Sequence, residues 1–465
     1  MKTTPSTPAT VSSAVHRPER AEALKSYFVE TWGCQMNRHD SELIEGHLRR
    51  FGLDAASRAE DADLVVLNTC SVREKPVRKI LSRIGVVAKA NPSATIGVCG
   101  CVAEQEAGDL LDRSPAVGFV IGPGQTARIG EAVRSVSQGR RPVFTGFDAE
   151  AEYNYHTIFR KSSTRGMVTV IEGCNEFCTF CIVPYTRGRE VSRPLADILD
   201  EVRGLAAEGI REVELLGQTV NAYRCPTTGS SLAALLREVA TVEGMLRVRF
   251  LTSHPRHFSQ DLIEALAAHP KVFRYLHLPI QSGSDAILKR MHRKYTRDEY
   301  LALVDRIREA VPEINLSTDI IVGFPGETDA DFEDTLKVLR VVRFGQVFAF
   351  AYSPRPKTPA ARYEPEIDEA IKSRRLQQLF RMTDEISREL NEELVGRVVP
   401  ILIDGVSRRD DTHWQGRGDD NRVVNVPMSG HEGVGDVVEV RIDRAGPHSL
   451  AGTIMDGAAR LPVVK

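Results

Sequence analysis

The chain has 465 residues, long enough for two to four domains that each bury a core. A net charge of −2 with 42% hydrophobic residues excludes a global basic field, so any RNA binding must come from local patches. No apolar run is long enough to span a membrane. Residues 1–24, rich in Thr, Ser, Pro and Ala and without an apolar segment, read as a disordered tail rather than a secretory signal. Eight cysteines in such a chain argue for metal or redox chemistry in a reducing cytoplasm, not for a disulfide scaffold.

From residue 26 to about 140 strands and helices alternate. Residues 27–31 form a short apolar strand that stops at Trp32-Gly33-Cys34. A helix follows with Leu43, Ile44, His47, Leu48 and Phe51 on one face and ends at Gly52. Residues 63–68 are a continuous apolar strand before Thr69-Cys70, and residues 95–98 a third before Cys99-Gly100-Cys101. This alternation predicts a doubly wound parallel sheet, in which ligands gather at the carboxyl ends of the strands. Cys34, Cys70 and one of Cys99 and Cys101 each lie just past such an end, so distant positions converge as candidate ligands of a metal–sulfur centre. The plainer alternative is buried thiols acting as small hydrophobes.

After a polar linker, strand 167–171 runs into Gly173-Cys174-Asn175-Glu176-Phe177-Cys178-Thr179-Phe180-Cys181. Three thiolates at CxxxCxxC spacing can bind three corners of one iron–sulfur cluster, leaving one iron open for a small molecule. Zinc would want a fourth Cys or His nearby, and no histidine lies between residues 157 and 253. Further strands read 213–216, 248–251, 273–278, 316–322 and 347–352, separated by helical runs such as 298–310 and 328–340. Six strand–helix units predict an incomplete parallel barrel with its site at the carboxyl ends and a mouth wide enough for a macromolecule. Cys225 lies in a Pro/Gly-containing loop and reads as an unligated thiol. Lys289, Arg290, Arg293, Lys294 and Arg297, with Arg187, Arg189 and Arg193, are either a solvated face or phosphate contacts. A charged helix over 367–394 leads to five short strands (398–403, 413–415, 422–426, 437–442, 449–453), which predict a small barrel of the OB type.

The string from Glu172 to Glu190, EGCNEFCTFCIVPYTRGRE, resembles the radical S-adenosylmethionine (SAM) enzymes and, at its full length, their methylthiotransferase branch. TWGCQMN, NTCSVREK and GCVAEQE resemble the amino-terminal domain of that family, and the string from Gln415 to Asn425 resembles the RNA-binding TRAM module. The resemblance implies an α/β chain with a tail (1–24), a doubly wound amino-terminal domain (25–145), a linker (146–165), a partial (β/α)6 radical SAM barrel (166–390) and a TRAM domain (394–458). It implies two [4Fe-4S] clusters, an auxiliary one on Cys34, Cys70 and Cys101 and a SAM-binding one on Cys174, Cys178 and Cys181. Cys99 is then a packing cysteine or a spare thiol. By likeness of the barrel loops, Gln218, Asn221, Ser253, Gln281 and Asp319 are expected to touch SAM. Arg187, Arg189, Arg293, Arg417 and Arg422 are the expected RNA contacts, and Trp414 either stacks on a base or packs. Lys357 stands where the family has glycine.

The implied reaction cleaves SAM to methionine and a 5′-deoxyadenosyl radical, which removes the hydrogen at C2 of an adenine. The auxiliary cluster supplies sulfur, methylated by a second SAM. The strings look most like the branch acting on N6-isopentenyladenosine at position 37 of tRNA. Other branches act on N6-threonylcarbamoyladenosine in tRNA or on an aspartate of a ribosomal protein. The resemblance implies a cytoplasmic monomer served by a low-potential donor such as flavodoxin or ferredoxin. A non-catalytic iron–sulfur or zinc RNA-binding protein is the reading from another class, and it would need none of the SAM-like loops.

Overall fold

The computed structural model describes residues 24–71, 76–147 and 158–455. The stretch read as a tail, apart from Leu24, and the middle of the linker lie outside the described residues. The chain divides into two compact units. One takes residues up to Lys161 with Glu172–Asn175 and Cys181–Val191; the other takes Ser162–Ile171, Glu176–Phe180 and everything from Ser192 onward.

The first unit is built on a six-stranded parallel sheet with spatial order Asp54–Ala55, Ser26–Thr31, Leu64–Thr69, Thr95–Gly100, Val117–Ile121, Val143–Phe144. Leu64–Thr69 and Thr95–Gly100 are buried along their whole length, as their continuous apolar runs require. Helices Gln35–Arg50 and Ile129–Ser137 cover one face by setting Ile44, Leu48, Ile129 and Val133 against Tyr27, Leu64 and Val66. Helices Pro76–Ala90 and Cys101–Glu106 cover the other through Ile80, Ile84 and Val102 against Val65, Leu67 and Ile96. From Ser26–Thr31 the chain moves to one side of the sheet, and from Leu64–Thr69 to the other. The direction therefore reverses between these two neighbouring strands, and open α/β sheets hold ligands outside the carboxyl ends at such a point.

In the second unit, Arg165–Thr169, Glu212–Leu216 and Arg247–Phe250 form one parallel sheet, and Tyr275–His277, Asn315–Val322 and Gln346–Ala351 another. A parallel bridge between Val248 and Val272 links them. Alternate residues face opposite ways. Val213, Leu215, Val248, Leu276, Leu316 and Ile320 pack outward with helix residues Ile198, Val202, Leu236, Leu303 and Leu336. The intervening positions, Glu212, Glu214, Arg249, His277, Ser317, Asp319 and Phe348, therefore face the lumen. Charge at the amino-terminal end of the lumen is paired, with Arg249 bonded to Glu214 and 3.3 Å from Glu212, and Arg165 at 2.9 Å from Glu212.

A closed five-stranded barrel completes this unit, with order Val398–Val406, His413–Arg417, Val423–Pro427, Leu450–Ile454, Val437–Ala445 around Ile401, Ile403, Val424, Val440 and Ile442. It does not stand apart as a third body, because its 417–421 turn bonds the amino-terminal ends of the parallel strands. Arg247 Nη1 donates to Arg417 O (2.7 Å), Arg249 Nη1 to Asn421 Oδ1 (2.8 Å) and Asn315 Nδ2 to Asp420 O (2.8 Å). The connecting helix Glu369–Glu392 adds a buried pair in which Arg375 Nη1 donates to Glu327 Oε2 at 2.6 Å. Burial pushes the Glu327 carboxyl up to about 7, against the pull of Gly323 N–H and Arg375.

Lys357 adopts φ +68°, so this turn keeps the left-handed backbone that glycine would occupy without strain. Lys357→Gly is therefore expected to stabilise the second unit by about 1 kcal/mol, the left-handed penalty less the entropy glycine adds to the unfolded chain. A rise in the thermal unfolding midpoint checks this; a fall would show that the lysine side chain holds the turn.

Candidate functional site

The thiols at the strand ends of the first unit come together because two glycines let the backbone close in. Gly33 has φ +129°, and a Cβ there would lie 2.5 Å from Cys70 Cβ. Gly100 has φ +87°, and a Cβ there would lie 2.4 Å from Asn68 Oδ1 and 2.5 Å from Thr69 O. Cys34 immediately precedes helix Gln35–Arg50, where helix polarity favours a thiolate. A hydrogen bond with Cys70, then the charge of Arg187, hold the Cys34 thiol well below its usual range. Burial pushes the Cys101 thiol up, opposed by Arg187. Cys99 points the other way into the apolar layer with Tyr27, Ile44 and Leu48, where burial raises its pKa. The structure thus separates the two cysteines of the Cys99-Gly100-Cys101 run.

Arg187 is a cation of this site. Its side chain is 5% exposed, and Nη2 donates to Asp40 Oδ2 (2.5 Å) and Asn37 Oδ1 (3.4 Å). Three convergent thiols, a mutual thiol hydrogen bond and a buried guanidinium suit a three-thiolate iron–sulfur cluster, whose ligands must be deprotonated.

The CxxxCxxC loop is fixed by its own backbone. Gly173 (φ +74°) has no room for a side chain, since a Cβ would meet Arg189 O at 2.0 Å, and Cys174 N donates to Gly188 O at 3.1 Å. In the second unit, Thr179 N donates to Met291 O (3.1 Å) and Thr179 Oγ1 to Arg290 O (2.8 Å), while Phe180 packs with Met291, Phe324 and Tyr352. Arg293 Nη1 lies 3.5 Å from Cys178 Sγ and places a positive charge beside it. No disulfide occurs among the described residues. Gln218, just past the end of Glu212–Leu216, has a buried Oε1 without a hydrogen-bond partner among the described residues. Such an orphan acceptor beside the barrel mouth fits a bound donor such as an amino group.

The other expected SAM contacts divide. Asp319 faces the lumen, 3.5 Å from His277 Nε2. Gln281 has φ +75° and bonds through its backbone to Asp319 and Ile321. Asn221 and Ser253 are engaged internally: Asn221 bonds both N and O of His254 (2.9 Å each), and Ser253 Oγ donates to His277 O (2.5 Å). They fix the loop geometry of the mouth.

The arginine reading needs correction. Arg187 and Arg293 are buried against Asp40 and Cys178, so neither presents a surface to RNA. Arg417 Nη1 donates to Asn421 O (3.1 Å) with Asp404 at 3.5 Å. Arg422 pairs with Asp420 and donates to Asn391 Oδ1 (2.7 Å). These arginines hold the protein together. Arg189 is exposed. Trp414 packs against the core of the small barrel. Cys225 is buried in the outer core and accepts from Leu195 N at 3.3 Å.

Glu176, between the first two cysteines of the loop, was not singled out by sequence. It is buried, with His257 Nε2 at 2.6 Å, Lys294 Nζ at 3.4 Å, Arg256 Nη1 at 3.6 Å and His254 Nε2 at 3.9 Å. Its His257 hydrogen bond, ahead of the nearby positive charges, holds the carboxyl well below the usual range. The run Ser253-His254-Pro255-Arg256-His257 opposite an acidic loop residue was the available signal.

If each three-cysteine set binds one cluster, Gly33→Val is expected to separate Cys34 from Cys70 and cut the iron of anaerobically reconstituted protein to about half. Full iron content in that variant would show that the approach of the two thiols is not required.

Three comparisons bear on this arrangement. Residues 26–122 match the Uncharacterized protein family UPF0004, residues 168–339 the Radical SAM superfamily and residues 392–455 the TRAM domain. The chain is 45% identical over 438 residues to the tRNA-2-methylthio-N(6)-dimethylallyladenosine synthase of Cereibacter sphaeroides, covering 93% of this chain and 99% of the relative. It is 44% identical over 441 residues to the protein of the same name from Carboxydothermus hydrogenoformans, covering 93% and 100%. Among solved structures, the radical S-adenosylmethionine methyltransferase TsrM of Kitasatospora setae shares the fold with a TM-score of 0.54 at 17% identity, over 73% of this chain and 74% of that one. With identity at this level along nearly its whole length, the chain belongs to the tRNA-2-methylthio-N(6)-dimethylallyladenosine synthase family of radical SAM enzymes.

Proposed function

We propose that this enzyme transfers a methylthio group to C2 of N6-dimethylallyladenosine at position 37 of tRNA. The observation that carries the reading is the presence of two cysteine triads in one chain whose relatives bear that name. Cys174, Cys178 and Cys181 would hold the [4Fe-4S] cluster at which SAM binds, and Cys34, Cys70 and Cys101 the auxiliary one. When bound, these groups supply the electron, the hydrogen removal, the sulfur and the methyl carbon, which no side chain can provide for an unactivated C–H bond.

The chain's own residues position and shield. Arg293 offsets the negative charge of Cys178, and Glu176, Thr179 and Phe180 fix their segment of the loop to the barrel. Gln218 Oε1 offers an acceptor to the amino group of SAM, and Asp319 with His277 lines the lumen. Arg187 follows Cys181 by six residues, which limits their separation to ~20 Å even in a fully extended chain. Arg187 acts electrostatically on Cys34 and Cys101 within the first unit. A single-stranded anticodon loop lets the base leave its stack at modest cost. The small barrel supports the RNA reading through its TRAM match. No helix among the described residues is long and apolar enough to cross a membrane. Completing the proposal are a cytoplasmic monomer, two SAM per product and a low-potential flavodoxin or ferredoxin as donor.

The test uses reduced, anaerobically reconstituted protein with SAM and a prenylated anticodon stem-loop. Wild type is expected to yield the methylthiolated nucleoside. Cys178→Ala should abolish release of methionine and 5′-deoxyadenosine, whereas Cys70→Ala should retain that cleavage and form no methylthio product. Methylthiolation by Cys70→Ala, or a wild-type enzyme active only on threonylcarbamoyl-adenosine RNA, would overturn the proposal.

A further inference from the structure

One wall of the barrel lumen is apolar and uncovered. Strand Gln346–Ala351 reads QVFAFA; Val347 and Ala349 pack against the outer core, so Phe348 and Phe350 point inward. Phe348 is 38% and Phe350 50% exposed, on an outer strand whose residues 348 and 350 pair with Asp319 and Ile321. The Phe348 ring meets His277 edge-on at 5.8 Å. His277 is itself set by Ser317 Oγ at 2.9 Å and by Asp319 at 3.5 Å. Toward the amino-terminal ends of the strands the lumen is charged, with Glu212, Glu214 and Arg249 buried in mutual pairs. Two exposed phenylalanines at alternate positions place their rings roughly 7 Å apart along the strand. Large aromatic side chains left uncovered beside a polar site mark a surface awaiting an apolar partner.

We infer that Phe348 and Phe350 form the subsite for the prenylated base, with the aromatic faces taking the purine and its five-carbon branched substituent. This rests on the proposed function. The occupant follows from complementarity among the reactants. The amino acid and ribose parts of SAM are polar and suit Gln218 and Asp319, whereas Phe348 and Phe350 offer no charge to RNA phosphates. Among the groups the reaction brings to the barrel, the branched five-carbon dimethylallyl group is the largest aliphatic one. A wall of two phenylalanines therefore selects prenylated over unmodified adenosine. Removing hydrophobic contacts from such a pocket costs on the order of tenfold or more in discrimination, because each lost methylene-sized contact changes selectivity by roughly 10- to 200-fold.

The experiment compares two anticodon stem-loops, one with N6-dimethylallyladenosine and one with adenosine, on the anaerobic holoenzyme. Both kcat/KM for methylthiolation and Kd by fluorescence anisotropy are read. Phe350→Ala, and more so Phe348→Ala/Phe350→Ala, should lower the preference for the prenylated RNA on the order of tenfold or more. Phe350→Leu should restore much of it. Iron content equal to wild type confirms that the variants are loaded. A preference unchanged within about twofold in the loaded double variant would overturn the inference and leave the methylthiolation reading intact. Absence of methylthiolation by wild type would instead remove that reading. In that case equal Kd values for the two RNAs would also overturn the subsite.

Discussion

The structure depends on the close approach of Cys34 and Cys70 at the point where the parallel sheet reverses direction. That approach requires a backbone without side chains at Gly33 and Gly100, since either Cβ would overlap the neighbouring strand end. Gathering three thiols also gathers potential negative charge, which needs a cation in the same low-dielectric pocket. Arg187 provides one from the segment that follows the barrel cysteines, with Asp40 and Asn37 holding the guanidinium in place. This three-thiol pocket therefore takes its guanidinium from the same stretch of chain that carries Cys174 and Cys181.

The second unit solves a different problem. Its strands must bury apolar residues against the helices, so their alternate positions are left to line a lumen that can be polar, charged or aromatic as chemistry demands. Near the amino-terminal ends, charges pair with one another and with the 417–421 turn of the small barrel. At the carboxyl ends, Asn221 and Ser253 tie neighbouring loops together, and Gln218 Oε1 has no hydrogen-bond partner among the described residues. Rigid backing around a few unsatisfied groups is what a site for a polar cofactor requires.

Much of this was legible before the structure. Apolar runs stopping at cysteines located the strand ends, and the rule that ligands collect there brought together Cys34, Cys70 and one of Cys99 and Cys101, with Cys101 chosen only by the family resemblance. Val117–Ile121 was less visible because Gly118 interrupts the run, where Thr95 Cγ2 would lie 2.8 Å from a Cβ. Arginines were the weakest part. A basic run reports charge but not its partner, and Asp40 lies 147 residues from Arg187 in sequence. Arg417 and Arg422 look like phosphate ligands in a TRAM-like string, yet short-range geometry gives them Asn421, Asp420 and Asn391. Lys357 shows that a missing glycine can be tolerated where the turn's surroundings enforce φ > 0.

The central claim is that one chain holds two separate three-cysteine clusters. Mössbauer spectroscopy of anaerobically reconstituted, iron-57-labelled wild-type protein, with iron and sulfide quantified on the same sample, tests it most directly. The account predicts about eight iron and eight sulfide per chain, all in [4Fe-4S] form. A spectrum accounted for by about four iron per chain, unchanged in a Cys34→Ala/Cys70→Ala/Cys101→Ala variant, would contradict it.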